Sequence, residues 1–217
     1  MFKKRLIEPE VLDHVSPEEA RPNLADLVRI NEKFGGHSVL RKTLQRVAET
    51  SESFTLLDIG AGSGDSARVI QGMYPASSVT SLDYNSTNFE KAPYPKVMAD
   101  AFALPFSHCS FDYVLCTLFL HHFEDQEVMQ LLRGFYAVAR RAVLVCDLER
   151  NIIPYLFLPA SKSVFRWNTI TVEDGMRSVR AAFRVKELAE VAATAGLANV
   201  EVEAYRPAFR LSLVAKK

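Results

Sequence analysis

Residues 56–65 read Leu-Leu-Asp-Ile-Gly-Ala-Gly-Ser-Gly-Asp, and this stretch decides the fold. The apolar run over 54–59 predicts a short buried strand, and the amphipathic segment 66–73 predicts a helix. Between them three glycines stand at alternate positions, which is typical of a tight loop whose backbone a ligand can approach closely. The order of strand, glycine loop and helix predicts a small-molecule pocket at the carboxyl end of a strand in an open α/β sheet.

The rest of the sequence predicts a sheet built around this first strand. Further strands are predicted at 78–82, 97–99, 111–117, 142–146, 200–204 and 209–214. The last two are separated by little more than Arg206-Pro207, and so short a link predicts an antiparallel hairpin rather than a parallel crossover. We therefore expect an α/β, Rossmann-like, doubly wound sheet of seven strands, mostly parallel with an antiparallel last strand, plus an N-terminal helical cover.

Helix-start signals are clear at two places in the sequence. Ser16-Pro17 with Glu19 predicts a helix that begins with a capping box. Pro22 is expected to end that helix soon and Asn23 to cap a second one, because proline interrupts a helix. A third helix is predicted at 38–49. Beyond the fourth strand, Asp125 is expected to cap another helix.

The composition narrows the possible partners and compartments. The chain has 217 residues, 48% of them hydrophobic, and 26 basic residues balance 26 acidic ones. A nucleic-acid-binding surface would normally leave a basic excess, so we expect no nucleic-acid partner. Three cysteines without a Cys-x-x-Cys pair predict free thiols in a reducing, cytoplasmic location. No apolar run is long enough to predict a membrane span, so we expect no integral membrane association.

Acidic or polar residues follow each predicted parallel strand. They are Asp58, Asp83, Asp100, Thr117 and Asp147. In an open α/β sheet the ligand lies beyond the carboxyl ends of the strands. Asp83 follows the glycine loop at about the spacing at which an acid binds ribose hydroxyls in dinucleotide folds. The pattern therefore predicts a nucleoside-containing ligand.

The spacing of the glycines indicates which nucleoside-containing cofactor the loop would bind, because NAD-binding loops have a different spacing. Dinucleotide folds typically carry Gly-x-Gly-x-x-Gly, whereas here the third glycine comes one residue earlier and an acid precedes the first. The pattern Asp58-x-Gly60-x-Gly62-x-Gly64 resembles motif I of the class I S-adenosylmethionine-dependent methyltransferases.

Three later segments are similar to the ubiquinone-biosynthesis-type, small-molecule branch of that family. They read Asp-Ala-Phe-Ala-Leu-Pro-Phe at 100–106, Ser-Phe-Asp-Tyr-Val at 110–114 and Leu-Phe-Leu-His-His-Phe at 118–123. The resemblance covers 54–147 closely and 184–217 loosely. It implies an S-adenosylmethionine-binding methyltransferase domain at 51–217. The helix signals before the first strand predict an N-terminal helical cap at 1–50, and the segment 148–180, which breaks the alternation of strands and helices, is expected to be an insert that covers the acceptor.

The resemblance also implies roles for individual residues toward the cofactor S-adenosyl-L-methionine. The residues that it implies are Asp58, Gly60, Ala61, Gly62, Gly64, Asp83, Tyr84, Asp100, Ala101, Thr117 and Leu118. The glycine loop would back the methionine part, with Asp58 near its amino group. Asp83 would hold the ribose hydroxyls, Tyr84 would pack on the adenine, and Asp100 would accept from the adenine amino group.

Methyl transfer from a sulfonium needs alignment, and it needs a base only where the acceptor arrives protonated. His121 and His122 follow the fourth strand and are the candidate catalytic bases; the alternative is that one of them only packs or hydrogen-bonds the cofactor loop. We expect no metal, because adjacent histidines rarely point at one ion and the sequence shows no third ligand.

The acceptor is expected to lie under the insert. Tyr155 and Trp167 could line an apolar pocket, or they could be core residues. Arg150, Arg177 and Arg180 are candidates to meet an acceptor carboxylate or phenolate, with surface positions as the alternative. Asn31, on the apolar stripe of an N-terminal helix, needs a polar partner in the cofactor or in the chain.

These residues favour methylation of a hydroxyl or an activated ring carbon on an aromatic, polyketide-like or quinol-like small molecule, by a monomer or homodimer. Two alternatives stay open. One is an S-adenosylmethionine-binding module without turnover, because no base is certain from the sequence. The other is an NAD-dependent oxidoreductase, which the early third glycine argues against. Amino-group methylation of a nucleic-acid base would call for an Asn/Asp-Pro-Pro-Tyr-like tetrad that residues 117–120 lack.

Overall fold

A computed structural model describes residues 2–85, 92–93 and 95–217 of the chain. Its strands are β1 (Thr55–Ile59), β2 (Ser78–Asp83), β3 (Lys96–Met98), β4 (Phe111–Thr117), β5 (Ala139–Leu148), β6 (Val200–Tyr205) and β7 (Arg210–Lys216). Its α-helices are α1 (Pro17–Lys33), α2 (Gly36–Gln45), α3 (Asp65–Met73), α4 (Asp125–Val138), α5 (Ile152–Phe165), α6 (Thr169–Ala181) and α7 (Val185–Thr194). Short 3-10 turns lie at Val11–His14 and Leu120–His122.

The described strands form one sheet in the order β3-β2-β1-β4-β5-β7-β6. The first strand is parallel to β2 and β4, and β7 is antiparallel to both β5 and β6. The predicted Rossmann-like sheet, with its mostly parallel strands and antiparallel last strand, is confirmed. The chain places β2 and β3 on one side of β1 and then places β4 on the other side. The carboxyl ends of β1 and β4 therefore border the crevice in which such folds bind ligands.

Helices cover both faces of the sheet and bury two apolar cores. Leu131 and Phe135 of α4 and Leu188 of α7 pack on one face. Leu44 of α2 and Ile70 of α3 pack on the other. Burial on both faces explains why the parallel strands read as nearly continuous apolar runs.

The N-terminal helix corrects one prediction. Residues 17–33 form a single helix that runs through Pro22, so Pro22 does not end a helix and Asn23 does not cap one. A proline removes one hydrogen bond from the ladder, but the amide of Asn23 is buried and donates to Thr171 Oγ1 of α6 at 3.4 Å. Tertiary contact with α6 therefore outweighs the local signal. The predicted capping box of Ser16 and Glu19 is confirmed.

The start of α4 differs from the prediction by one residue, and the insert contains helices that the sequence analysis did not predict. The N-cap of α4 is Glu124, which forms a capping box with Glu127, and Asp125 is the first helical residue instead of the cap. The side chain of Asp125 is then free to accept from Arg5 Nη1 at 2.5 Å. The segment 148–180 holds two helices, α5 and α6, capped by Asn151 and Asn168.

The helices of the insert lie beyond the carboxyl edge of the sheet. The last insert helix, α6, packs against α5, α1 and both 3-10 turns. The side chain of Asp174 in α6 accepts from the backbone N–H groups of Val11 and Leu12 at 2.7 and 3.0 Å. The N-terminal segment and the insert thus form one layer over the strand ends. Among the helices that the structure describes, none is long and apolar enough to cross a membrane.

Leu44→Ala tests the docking of α2 on the sheet. Leu44 is fully buried, so the substitution removes apolar contacts and leaves a cavity, and we expect the free energy of unfolding to fall by about 2–5 kcal/mol. Arg41→Ala on the exposed side of the same helix is the control and should change it by less than about 0.5 kcal/mol. Chemical denaturation measures both; equal midpoints for the two variants would contradict the docking.

Candidate functional site

The glycine loop after β1 is shaped so that side chains cannot fill it. Gly60, Gly62 and Gly64 all have positive φ, at 66°, 51° and 73°. A Cβ at Gly60 would lie 2.4 Å from the ring of Phe119, and one at Gly64 would lie 2.4 Å from Pro93 Cδ. A Cβ at Gly62 would face open space. The backbone of Gly62 is therefore the part of the loop that a ligand can reach.

Two carboxylates stand next to this loop. Asp58 is buried at the end of β1, and among the described residues its Oδ2 has no hydrogen-bond partner. Asp83 at the end of β2 accepts from the N–H of Gly62 at 2.7 Å and from the N–H of Asn85 at 2.8 Å. Burial, with the nearby charges of Asp83 and Asp65, raises the pKa of Asp58 to about 8. A crowded set of buried acids with an orphan oxygen is suited to a cationic ligand.

The end of β4 supplies a second orphan polar atom. Thr117 Oγ1 is buried without a hydrogen-bond partner among the described residues. The next residue, Leu118, has a φ of 52°, and its N–H donates to the carbonyl of Cys146 at 2.8 Å. This left-handed turn redirects the chain across the edge of β5, so Leu118 and the histidines that follow lie beyond the sheet.

The remaining residues predicted to bind the cofactor lie farther out. Tyr84 is 80% exposed, and Asp100 is exposed with its Oδ1 accepting from the N–H of Phe102 at 2.9 Å. Ala101 packs against the core. The connection 99–110 contains no helix, as its short length predicts; much of the connection before β3 lies outside the described residues. The predicted adenine side is open, whereas the side of Asp58 is closed.

A cavity of about 670 Å³ lies between α1, the insert and the ends of β5 and β7, and the glycine loop is not part of its lining. Its lining includes Leu118, Leu148, Phe157 and Trp167, which make it largely apolar. The volume is in the range of small-molecule sites. Leu118 is the residue through which the predicted cofactor side and the cavity meet.

Of the three predicted substrate residues, the structure places one in this cavity. Trp167 lines it, with its indole N–H donating to Ser161 Oγ at 3.1 Å. Tyr155 is not part of the lining, and its ring packs on that of Phe2 at 5.0 Å. Arg180 is also outside and pairs with Glu8 at 3.1 Å.

Both predicted histidines line the cavity, and one of them is held by a buried acid. The ring Nδ1 of His121 lies 2.6 Å from Asp147 Oδ1, and the backbone N–H of His121 donates to Asp147 Oδ2 at 3.2 Å. Burial opposes the charged form of His121, but the attraction of Asp147 and its hydrogen bond outweigh burial and raise the pKa of His121. The same pairing lowers the pKa of Asp147 against the effect of its own burial. With Nδ1 on Asp147, the Nε2 of His121 is the nitrogen left for a ligand.

His122 differs from its neighbour in charge. Its ring lies against that of His121, with centroids 4.1 Å apart and the two planes tilted by 36°, and its Nδ1 lies 3.7 Å from Glu10 Oε1. Burial and the charge of His121 lower the pKa of His122 to about 4, so His122 is neutral at pH 7. Glu10 also accepts from Ser178 Oγ at 2.5 Å. Among the described residues, Glu10, His121 and His122 form the one group of three whose potential ligand atoms, all within 4.8 Å of one another, could hold a metal ion.

The buried arginine that lines the cavity is one that the sequence did not single out. Arg150 pairs with Glu187 and donates to the carbonyl of Ala182 at 2.6 Å, and Arg177 donates to the carbonyl of Pro9 at 2.6 Å. Arg210, the first residue of β7, lines the cavity instead. A lone arginine opening an otherwise apolar strand is the signal that could have revealed it.

Comparison with known proteins agrees with this geometry. Residues 57–146, less than half of the chain, match the family model described as a methyltransferase domain. A search among curated proteins gives no match to the sequence.

Solved structures share the fold at low identity. Human N-acetylserotonin methyltransferase, solved in complex with SAM, is 16% identical to this chain with a TM-score of 0.64. The match covers 92% of this chain but only 56% of the human protein's chain. The plantazolicin methyltransferase BpumL is 12% identical with a TM-score of 0.67, covering 92% of this chain and 89% of its own. A SAM-dependent methyltransferase from Aquifex aeolicus is 14% identical with a TM-score of 0.62, covering 93% and 98%.

The positive-φ loop, the orphan oxygen of Asp58 and the matched segment agree on one cofactor, which combines a sulfonium with a nucleoside. Residues 57–146 are therefore similar to a methyltransferase domain, and the whole chain shares the fold of solved S-adenosylmethionine-dependent methyltransferases.

Proposed function

We propose that the chain methylates a hydroxyl group on a small, largely apolar, aromatic acceptor that occupies the 670 Å³ cavity. The observation that carries the proposal is the buried His121–Asp147 pair in the wall of an otherwise apolar cavity. A phenolic hydroxyl has a pKa near 10, so its proton must be removed for efficient transfer at neutral pH. An activated ring carbon is the second candidate acceptor atom. The ubiquinone-biosynthesis-type signature of the sequence supports an aromatic acceptor.

When bound, S-adenosylmethionine supplies an electrophilic methyl group on a sulfonium. In the proposed arrangement the backbone at Gly62 and the carboxylate of Asp58 hold the methionine part, and Asp83 holds the ribose. Thr117 Oγ1 and Leu118 border the reacting end. The exposed ring of Tyr84 and the exposed carboxylate of Asp100 contact the adenine from the open side.

His121 is the proposed base. Its Nε2 accepts the proton of the acceptor hydroxyl as the oxygen takes the methyl group, and Asp147 holds the ring through Nδ1 and stabilises the imidazolium that forms. His122 is neutral at pH 7, so it can contact the acceptor beside His121 without adding a second positive charge. The apolar walls exclude water, which strengthens these interactions.

Asp58→Asn tests the proposed hold on the methionine part. At pH 7 Asp58 is largely protonated because its pKa is about 8, and a cationic ligand binds the ionised form, so binding should release a proton. We expect the affinity for S-adenosylmethionine to rise with pH between 6 and 8 in the wild-type chain, with proton uptake by the buffer at pH 7. Both effects should be absent in Asp58→Asn, whose affinity should be lower.

Isothermal titration calorimetry in buffers of different ionisation enthalpy measures both quantities. The matched control is Asp125→Asn, at an exposed acid far from the loop in sequence, which should bind as the wild type does. Equal proton release by Asp58→Asn and the wild type would exclude Asp58 from the cofactor site.

Substitutions in the His121–Asp147 pair test the base. The active form of His121 is neutral, and its pKa is raised, so kcat/KM for a phenolic acceptor should rise with pH through a midpoint above 6.5. His121→Gln should lower kcat/KM by roughly 10²- to 10⁴-fold. Asp147→Asn removes the attraction that raises the pKa, so its remaining activity should have a midpoint at lower pH.

A methyl-transfer assay over a panel of phenols, from pH 5.5 to 9, measures these profiles. His108→Gln, at an exposed histidine, is the control and should behave as the wild type does. A wild-type midpoint that Asp147→Asn leaves in place would assign the base elsewhere. If the chain binds S-adenosylmethionine but forms no product with any acceptor, the alternative of a binding module without turnover holds.

Chelation tests the absence of a metal from the proposed reaction. The proton is taken by an imidazole, so we expect EDTA treatment followed by gel filtration to leave the methyl-transfer rate unchanged within about twofold. The same preparations are then assayed with added Mg²⁺, Mn²⁺ or Zn²⁺. Activity lost on chelation and restored by one of these ions would identify Glu10, His121 and His122 as a metal site and would replace the proposed base.

A further inference from the structure

Arg210 is a buried cation in the wall of the cavity. Only 6% of its surface is exposed, and among the described residues only one other arginine, Arg150, is also buried. Arg150 has the partners expected of a buried charge, because it pairs with Glu187 and donates to the carbonyls of Ala182 and Phe2. A buried arginine without such partners costs free energy in the folded state.

Within the part of the chain that the structure describes, Arg210 has no ion-pair partner and few hydrogen-bond partners. No described carboxylate lies within 4.0 Å of its guanidinium, and its Nε has no hydrogen-bond partner. Its one hydrogen bond is the donation from Nη2 to Asn31 Oδ1 at 3.4 Å, which is long. Burial lowers the pKa of Arg210 to about 10, so the side chain is still cationic at neutral pH.

The acids that share the cavity are engaged elsewhere. Glu10 accepts from Ser178 and faces His122. Asp174 accepts from two backbone N–H groups of the N-terminal segment. Asp147 and Glu149 flank the lining residue Leu148 but do not line the cavity themselves. Asp147, whose charge acts on Arg210, is held by His121 at 2.6 Å, and Glu149 pairs with Arg206 at 2.5 Å. The charge of Arg210 is therefore left for a group that enters the cavity from outside the chain.

The position of Arg210 relative to the histidines follows from the sheet. His121 lies just beyond β4, and Arg210 opens β7, with β5 between them. Neighbouring strands lie about 4.8 Å apart, so the two residues stand roughly 10 Å apart across the strand ends. Asn31 is brought close to Arg210 because Gly36 has no side chain; a Cβ there would lie 2.5 Å from Asn31 Oδ1.

We propose that Arg210, supported by Asn31, binds a carboxylate of the acceptor, so that the substrate is an elongated aromatic acid whose hydroxyl end reaches His121. The inference rests on the proposed function only in taking the occupant of the cavity to be the acceptor. Arg210 forms charge-assisted hydrogen bonds with the carboxylate and fixes the orientation of the ring system. The apolar walls between the two ends accept the aromatic body.

Binding of a matched pair of probes tests this inference without relying on turnover. The probes are 6-hydroxy-2-naphthoate and 6-hydroxy-2-naphthamide, which share shape and differ in charge. Calorimetry with the full chain measures both affinities. Quenching of the fluorescence of Trp167, the one tryptophan of the sequence and a residue of the cavity wall, reports whether the probe is in the cavity. We expect the acid to bind about 10- to 100-fold more tightly than the amide.

Two variants then separate the charge of Arg210 from its packing. Arg210→Gln should lose the preference for the acid while keeping the amide affinity within about threefold of the wild-type value. Asn31→Asp keeps Arg210 but gives it a carboxylate partner inside the chain, so it should also lose the preference. Arg133→Gln, at an exposed arginine of α4, is the matched control and should keep it.

The outcomes decide the proposal. A wild-type chain that binds the acid no more tightly than the amide overturns it, as does an Arg210→Gln variant that keeps the preference. If circular dichroism shows that Arg210→Gln does not fold, a preference retained by Asn31→Asp overturns it instead. Charge-dependent binding without any methylated product would leave the assignment of Arg210 standing and would reject the proposed function, so the two failures are distinct.

Discussion

The buried pair of His121 and Asp147 joins the proposed base to the sheet. Asp147 lies in β5, and His121 lies in the turn that follows β4, so the 2.6 Å contact between them joins two neighbouring strand ends. Each group shifts the pKa of the other toward its charged form, in spite of burial. An ion pair of this kind is costly to bury and is retained where it does something else, such as fixing the orientation of an imidazole.

Buried charge also explains the division of the site into two halves. On the side of β1 and β2 the charges are acidic, and the unmatched oxygen of Asp58 suits a cationic cofactor. On the side of β7 the unmatched group is the guanidinium of Arg210. The antiparallel insertion of β7 produces this arrangement, because a strand that runs the other way begins at the edge where its neighbours end. The residue that opens β7 therefore faces the same cavity as the residues that follow β4.

Much of the fold and part of the candidate site were predictable from the sequence. The positions of the strands along the chain, the glycine loop and the acids at the strand ends follow from local patterns, since apolar runs, glycine spacing and residue type are all visible in a single chain. The placement of His121 after β4 followed from the same reasoning. Pro22 and Asn23 were misjudged because a contact with Thr171, far away in the sequence, decides that helix. Asp125 was misjudged by one position, and cap positions are the least certain part of a helix prediction.

The cavity wall was harder to predict for a physical reason. A side chain lines a cavity or faces solvent according to the packing of its helix, and the apolar and aromatic insert offers no single polar face from which to choose. Trp167 and Tyr155 look equivalent in the sequence, yet Tyr155 packs on Phe2 of the N-terminal segment and Trp167 lines the cavity. Arg180 of the insert pairs with a carboxylate of the N-terminal segment, and Arg150 pairs with one of α7. Whether a buried charge is satisfied depends on these long-range pairings. For that reason Arg210, the one buried arginine without a carboxylate partner among the residues that the structure describes, could be recognised only in three dimensions.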